Sequence, residues 1–374
     1  LNGDGVNDLA VGAPRDDAPA IGQHYADHGI VHIMFMNTDG SVDSTVEIND
    51  ATTNGPTLTK NDYFGASVAN IGDLDGDGVN DLAVGAELAD DGSNQSKRGT
   101  VHIVFMNTDG SVDSTVKIGH STTNGPTLVN NSHFGTSVAN IGDLDGDGVN
   151  DLAVGADIGG SPSRSGIVFI MFMNTNGSVD STVVINRDTG NGPTISSQGD
   201  SFGTSVANIG DFDGDGVNDI AVGAPRDDAG GDDRGALHIM FMEDVIKPTV
   251  TITSSSGDSG DTAYSTTLSY TATFSESTSN FVVGDITVTG TANDGAPEAS
   301  NFAGSGTTYT FDVVQGSSDG TVSVSVAAGK ATDATGNDNT VSNTYTFTIE
   351  TVSVTITSSS GDSGDSTSST TLSY

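Results

Sequence analysis

Asp73-Leu74-Asp75-Gly76-Asp77-Gly78-Val79-Asn80-Asp81 decides the reading, because the chain repeats it. It returns as Asp143-Leu144-Asp145-Gly146-Asp147-Gly148-Val149-Asn150-Asp151 and as Asp211-Phe212-Asp213-Gly214-Asp215-Gly216-Val217-Asn218-Asp219. A shortened copy, Leu1-Asn2-Gly3-Asp4-Gly5-Val6-Asn7-Asp8, opens the chain without the first Asp. Each complete copy sets carboxylates at positions 1, 3, 5 and 9 of one short loop. Charges so close repel strongly unless a cation sits among them. Oxygen donors without His or Cys favour a hard ion, and Ca²⁺ accepts flexible, high-coordination oxygen cages. Gly at position 6 permits the sharp turn that aims the position-7 carbonyl inward. An EF-hand is excluded, because position 12 is Val84, Val154 or Val222 rather than Glu, and the flanks read as strands.

Those flanks are constant. Phe-Gly-x-Ser-Val-Ala-Asn-Ile-Gly precedes each complete loop, at 64–72, 134–142 and 202–210. An apolar run ending in Gly-Ala follows, at 82–86, 152–156 and 220–224, with 9–13 in the shortened copy. A third strand is expected at 29–36, 99–106, 166–173 and 235–242. A tight turn such as Asn107-Thr108-Asp109-Gly110 then leads into a fourth at 112–118. Tandem four-stranded units are the signature of propeller blades, which gain a core only by stacking on one another.

These motifs resemble FG-GAP repeats, the blades of integrin alpha subunits and of many bacterial secreted proteins. Phe64-Gly65 goes with Gly85-Ala86, Phe134-Gly135 with Gly155-Ala156, and Phe202-Gly203 with Gly223-Ala224-Pro225. Glu87 and Asp157 replace the Pro in the middle copies. The resemblance implies Ca²⁺ in each Asp loop. It assigns Asp73, Asp75, Asp77, the Val79 carbonyl and Asp81 to one site. The next takes Asp143, Asp145, Asp147, Val149 and Asp151. The third takes Asp211, Asp213, Asp215, Val217 and Asp219. In the shortened copy only Asn2, Asp4, Val6 and Asp8 remain, so that site is left open. Family members usually close with seven blades, and Leu1 stands inside a loop, so further blades are expected upstream.

A second repeat begins near Pro248. The stretch at 251–258 returns at 355–362, an offset of 104 residues. Apolar residues alternate at Leu268, Tyr270, Ala272 and Phe274, at Tyr309, Phe311 and Val313, at Val322, Val324 and Val326, and at Tyr345, Phe347 and Ile349. Period two marks strands with one buried face. Six or seven such strands in about a hundred residues describe an Ig-like sandwich. The unit resembles the bacterial Ig-like repeats of large surface adhesins, including Ala-Thr-Asp-Ala-Thr-Gly-Asn at 331–337. The expected organisation is all-β, with propeller blades over 1–243, an Ig-like domain over 248–351 and the start of a second at 352–374.

The chain has 374 residues, 50 acidic and 11 basic, for a formal charge of −39. Such a surface disfavours nucleic acid and anionic membranes as partners. There is no Cys, hence no disulfide framework. No apolar run is long enough to span a bilayer. His32, His102 and His238 share one strand position, where the third unit has Phe169. A residue interchangeable with Phe reads as packing rather than as a ligand or base. His24 and His28 lie in a variable loop and are left unassigned. The sequence therefore reads as a secreted or surface-displayed, calcium-binding, non-enzymatic protein for adhesion or ligand binding. A cell-surface protein or polysaccharide is the expected partner. The alternatives are an accessory region of a secreted hydrolase or lyase, and a scaffold without a specific ligand.

Overall fold

In the computed structural model the described residues are 1–16, 27–90, 97–158, 165–190, 192–195, 199–228, 231–244, 247–292, 298–314 and 318–351. The expected second sandwich at 352–374, and His24, lie outside them. The chain divides into two compact units, Leu1–Asp244 and Val245–Tyr374. Among the described residues no helix is long and apolar enough to cross a membrane.

The first unit is a row of antiparallel sheets in chain order. The first sheet holds β1 (Leu9–Ala13), β2 (Ile30–Met36) and β3 (Val42–Ile48). The second holds β4 (Phe64–Gly72), β5 (Asp81–Ala86), β6 (Thr100–Met106) and β7 (Val112–Ile118). The third holds β8 (Phe134–Gly142), β9 (Asp151–Ala156), β10 (Ile167–Met173) and β11 (Val179–Ile185). The fourth holds β12 (Ser205–Gly210), β13 (Asp219–Ala224) and β14 (Ala236–Met240). The Asp loops join the first two strands of each complete blade, as the repeat pattern requires.

The cores lie between sheets, not within them. Val31, Ile33 and Phe35 of the first blade pack with Phe64, Val84 and Val104 of the second. Val101, Ile103 and Phe105 of the second pack with Phe134, Val154 and Phe169 of the third. Val168 and Ile170 of the third pack with Phe202, Ile220 and Val222 of the fourth. The Phe of each Phe-Gly pair is fully buried. Phe64, Phe134 and Phe202 meet His102, Phe169 and His238 edge to face, each at 5.5 Å. His and Phe thus fill one packing position, and burial pushes His102 down to about 3, so its ring is neutral.

Glycine explains how closely the blades approach. A Cβ on Gly85 would stand 1.9 Å from the Gly135 carbonyl oxygen, and one on Gly155 would stand 1.9 Å from that of Gly203. The Gly of Phe-Gly in one blade therefore rests on the Gly of Gly-Ala in the blade before it. Ser67 and Ser137 seal the same seam by donating their hydroxyls to Gly135 O and Gly203 O, both at 2.8 Å.

The second unit is a sandwich. One sheet orders β15 (Val250–Ser254), β17 (Thr267–Thr278) and β19 (Ala299–Val314). The other orders β16 (Thr262–Ala263), β21 (Tyr345–Ile349), β20 (Gly320–Val326) and β18 (Ile286–Thr289). The alternating apolar residues meet in a core of their own, with Tyr270 stacked on Phe311 at 5.5 Å and edge-on to Phe347 at 6.1 Å.

Gly155→Ala is expected to cost the first unit about 3 kcal/mol or more, the upper range for overpacking. Gly190→Ala, where a Cβ meets nothing within 4 Å, is expected to be near neutral. Chemical denaturation of both variants checks this, and equal stabilities would contradict the seam.

Candidate metal centres in the blade loops

Each Asp loop is built by its own carboxylates. Asp73 Oδ1 accepts from Gly76 N at 2.8 Å and Oδ2 from Gly78 N at 2.9 Å. Asp75 Oδ1 accepts from Asp77 N at 3.2 Å, and Asp77 Oδ1 from Val79 N at 2.7 Å. The third blade repeats the set: Asp147 N and Gly148 N donate to Asp143, and Val149 N to Asp147. So does the fourth, with Gly214, Asp215 and Gly216 on Asp211 and Val217 on Asp215. Gly78, Gly148 and Gly216 take φ of 91°, 90° and 95°, the conformation expected of position 6.

The ninth Asp does something else. Asp81, Asp151 and Asp219 are at most 1% exposed. Asp81 Oδ2 accepts from Leu74 N at 2.9 Å and Oδ1 from Met106 N at 3.0 Å. Asp151 takes Leu144 N at 2.8 Å and Met173 N at 3.0 Å. Asp219 takes Phe212 N and Met242 N, both at 2.9 Å. One side chain thus ties the loop to the far end of the blade's third strand. In the shortened copy Asp8 accepts from Met36 N at 3.0 Å and from Leu1 N, at the place of Leu74 N, at 2.8 Å.

The structure brings carboxylate oxygens of Asp73, Asp75 and Asp81 within 4.8 Å of one another. It does the same for Asp143, Asp145 and Asp151, and for Asp211, Asp213 and Asp215. Asp77, Asp147 and Asp219 belong to the same loops but stand outside these groupings. In the shortened copy Asp4 instead holds Asn2 Nδ2 at 3.1 Å and Val6 N at 2.8 Å, and Asn2, Asp4 and Asp8 form no such group. The three complete loops fit a hard cation: the donors are oxygens, they converge, and they repel without one. Burial, then the neighbouring carboxylates, pushes Asp81 up to about 6 and Asp151 up to about 7, while amide donors oppose the shift.

Sequence reasoning missed the role of position 8. Asn150 Nδ2 donates to Ile71 O at 2.9 Å and Asn218 Nδ2 to Ile141 O at 3.0 Å, each reaching the blade before. Asn140 and Asn208 do likewise, to Asn70 O and Asn140 O. The signal was present, because Asn occupies position 8 in every copy.

A pH dependence follows. A carboxyl whose folded pKa is raised contributes most below its unfolded value of 3.8, and that contribution is lost as pH rises through the folded value. In chelator, the first unit is therefore expected to gain roughly 2–4 kcal/mol between pH 8 and pH 5. In saturating Ca²⁺ the sign reverses, because protons displace the metal from its carboxylates. Melting curves in 0.5 M salt, which screens the general charge, check both signs. A chelated unit that weakens on going to pH 5 would contradict the first.

Comparison with known proteins agrees with this geometry. The FG-GAP repeat family matches at residues 64–104, 134–171 and 202–240, and a bacterial Ig-like domain family at 244–349. Integrin alpha-5 of Xenopus laevis is 38% identical over 164 residues, 43% of this chain and 15% of that protein. Integrin alpha-4 of Xenopus laevis is 36% identical over 171 residues, covering 43% and 14%. Integrin alpha-IIb of Mus musculus is 35% identical over 168 residues, covering 43% and 15%. The matched stretch is thus a small part of each integrin's length. With the blades, their Asp loops and the sandwich all in place, the chain carries integrin alpha-like FG-GAP repeats followed by a bacterial Ig-like domain.

Proposed function

We propose that this chain is a calcium-stabilised binding module that works in adhesion or ligand capture outside the cell, without catalysis of its own. The observation that carries the reading is the convergence of three loop carboxylates in each complete loop, with the buried ninth Asp among them in the second and third blades. In this reading Asp73, Asp75, Asp77, the Val79 carbonyl and Asp81 ligate one Ca²⁺. Asp143, Asp145, Asp147, Val149 and Asp151 take a second, and Asp211, Asp213, Asp215, Val217 and Asp219 a third. The shortened loop, with Asn2, Asp4, Val6 and Asp8, lacks the first carboxylate and is assigned no ion. The cation is structural: it cancels repulsion within each loop and stiffens the joint between strands. The blades then present their connecting loops as a binding surface, which suits an extracellular protein or a polysaccharide. The charge of −39 argues against nucleic acid. A secreted or cell-surface location agrees with the repeat types.

Extracellular calcium modules bind at ~10⁻⁴–10⁻³ M, and a hundredfold excess over Kd adds about 2.7 kcal/mol per site. Equilibrium dialysis of the chain is expected to show an ion in each complete loop. Asp75→Ala, Asp145→Ala and Asp213→Ala should each remove one and lower the calcium-saturated melting temperature. Unchanged melting between chelator and millimolar Ca²⁺ would contradict the reading. Retention on arrays of immobilised polysaccharides and extracellular proteins should depend on Ca²⁺, and cleavage of an arrayed glycan would contradict a non-catalytic role.

A further inference from the structure

The Ig-like unit holds a carboxylate arrangement that owes nothing to the blade loops. Asp333 sits in the turn at 331–337. Its Oδ1 accepts from Thr335 N at 2.9 Å, Gly336 N at 2.7 Å, Asn337 N at 2.8 Å and Thr335 Oγ1 at 2.8 Å. Its Oδ2 is buried and has no hydrogen-bond partner, and the residue is only 6% exposed. Burial opposes its ionisation, yet the donors from Asn337, Thr335 and Gly336 hold the carboxyl below the usual range, so it stays charged. A carboxylate oxygen of half-buried Glu276, near the end of β17, lies within 4.8 Å of one from Asp333. No Lys or Arg pairs with Asp333 among the described residues.

A buried carboxylate oxygen without a donor is costly, and a second carboxylate beside it adds repulsion. A lysine would relieve this with N–H donors, but a bound cation relieves both at once. The neighbouring donors are oxygens, without His or Cys. We propose that Glu276 and the open Oδ2 of Asp333 hold a Ca²⁺ ion, with water completing the shell. The ion would join two layers of the sandwich. Glu276 belongs to the sheet of β15, β17 and β19, while the Asp333 turn follows β20 of the other sheet. A weaker bridge already exists there: Thr332 N donates to Asn280 Oδ1 at 2.7 Å and Ser279 N to Thr332 O at 3.3 Å. The ion would fasten that end of the sandwich by charge, beside these hydrogen bonds.

Calcium dialysis of the whole chain, unmodified and as Glu276→Gln and Asp333→Asn, tests this. Glu276→Gln leaves the Asp333 turn and its four donors intact, so it is the deciding variant if Asp333→Asn unfolds the turn. The proposal expects Glu276→Gln to bind one ion fewer than the unmodified chain, or to bind one ion at least tenfold more weakly. The blade-loop ions stay bound in that variant, so the two sets are counted separately. An unmodified chain and a Glu276→Gln chain with the same ion count and affinities would overturn the proposal while leaving the blade-loop reading untouched. Loss of all calcium binding from the unmodified chain would overturn both.

Discussion

A buried aspartate that accepts two backbone amides is the joint on which each blade depends. Asp81, Asp151 and Asp219 reach one way to the second residue of the Asp loop and the other way to the end of the third strand. Removing such a group leaves two amides without acceptors, each worth about 1–3 kcal/mol when buried. Keeping Asp81 or Asp151 ionised in the interior is costly too, and the other loop carboxylates raise that cost. In the proposed reading a cation in the loop resolves the conflict. Ion and aspartate would then stabilise each other, and the calcium site and the blade would be one structure rather than a blade with an ion attached.

The second constraint is close approach between blades. Glycine meets glycine along the seam at Gly85 and Gly135 and at Gly155 and Gly203, and side-chain amides bridge to main-chain carbonyls of the preceding blade. Thr115 and Thr182 add hydrogen bonds to Asn54 O and Asn124 O at 2.9 and 2.7 Å. A blade held by a dry apolar core, a glycine seam and several cross-blade hydrogen bonds has little freedom to tilt. That rigidity would suit the display surface proposed above.

Much of this was legible from the chain because repetition marks which positions matter. The strands of the second and third blades fall where the pattern put them, down to Val112–Ile118. The fourth blade departs at both ends. Its first strand starts at Ser205 instead of Phe202, because Phe202 lacks the ladder pairing to Ala224 that Phe64 makes to Ala86 and Phe134 to Ala156, and makes only an isolated bridge to Gly166. Its third strand ends at Met240, since among the described residues no fourth strand pairs beyond β14, yet Met242 N still reaches Asp219. In the sandwich the long alternating strands were readable. The two residues of β16 and four of β18 were not, because so short a run carries no period. The loop carboxylates were legible as types and spacing. The double duty of the ninth Asp was not, because Met106 lies 25 residues from Asp81 and only the fold brings them together.

The central claim is that the ion in each loop and the hydrogen bonds of the ninth Asp stand or fall together. Native-state hydrogen exchange at the amides of Leu74, Met106, Leu144, Met173, Phe212 and Met242 tests it most directly. The account predicts strong protection in Ca²⁺ and a loss of at least tenfold on chelation, confined first to these amides and their loops. Protection at these six positions that is unchanged by chelation would show that the aspartates hold the blades without the ion, and would contradict the account.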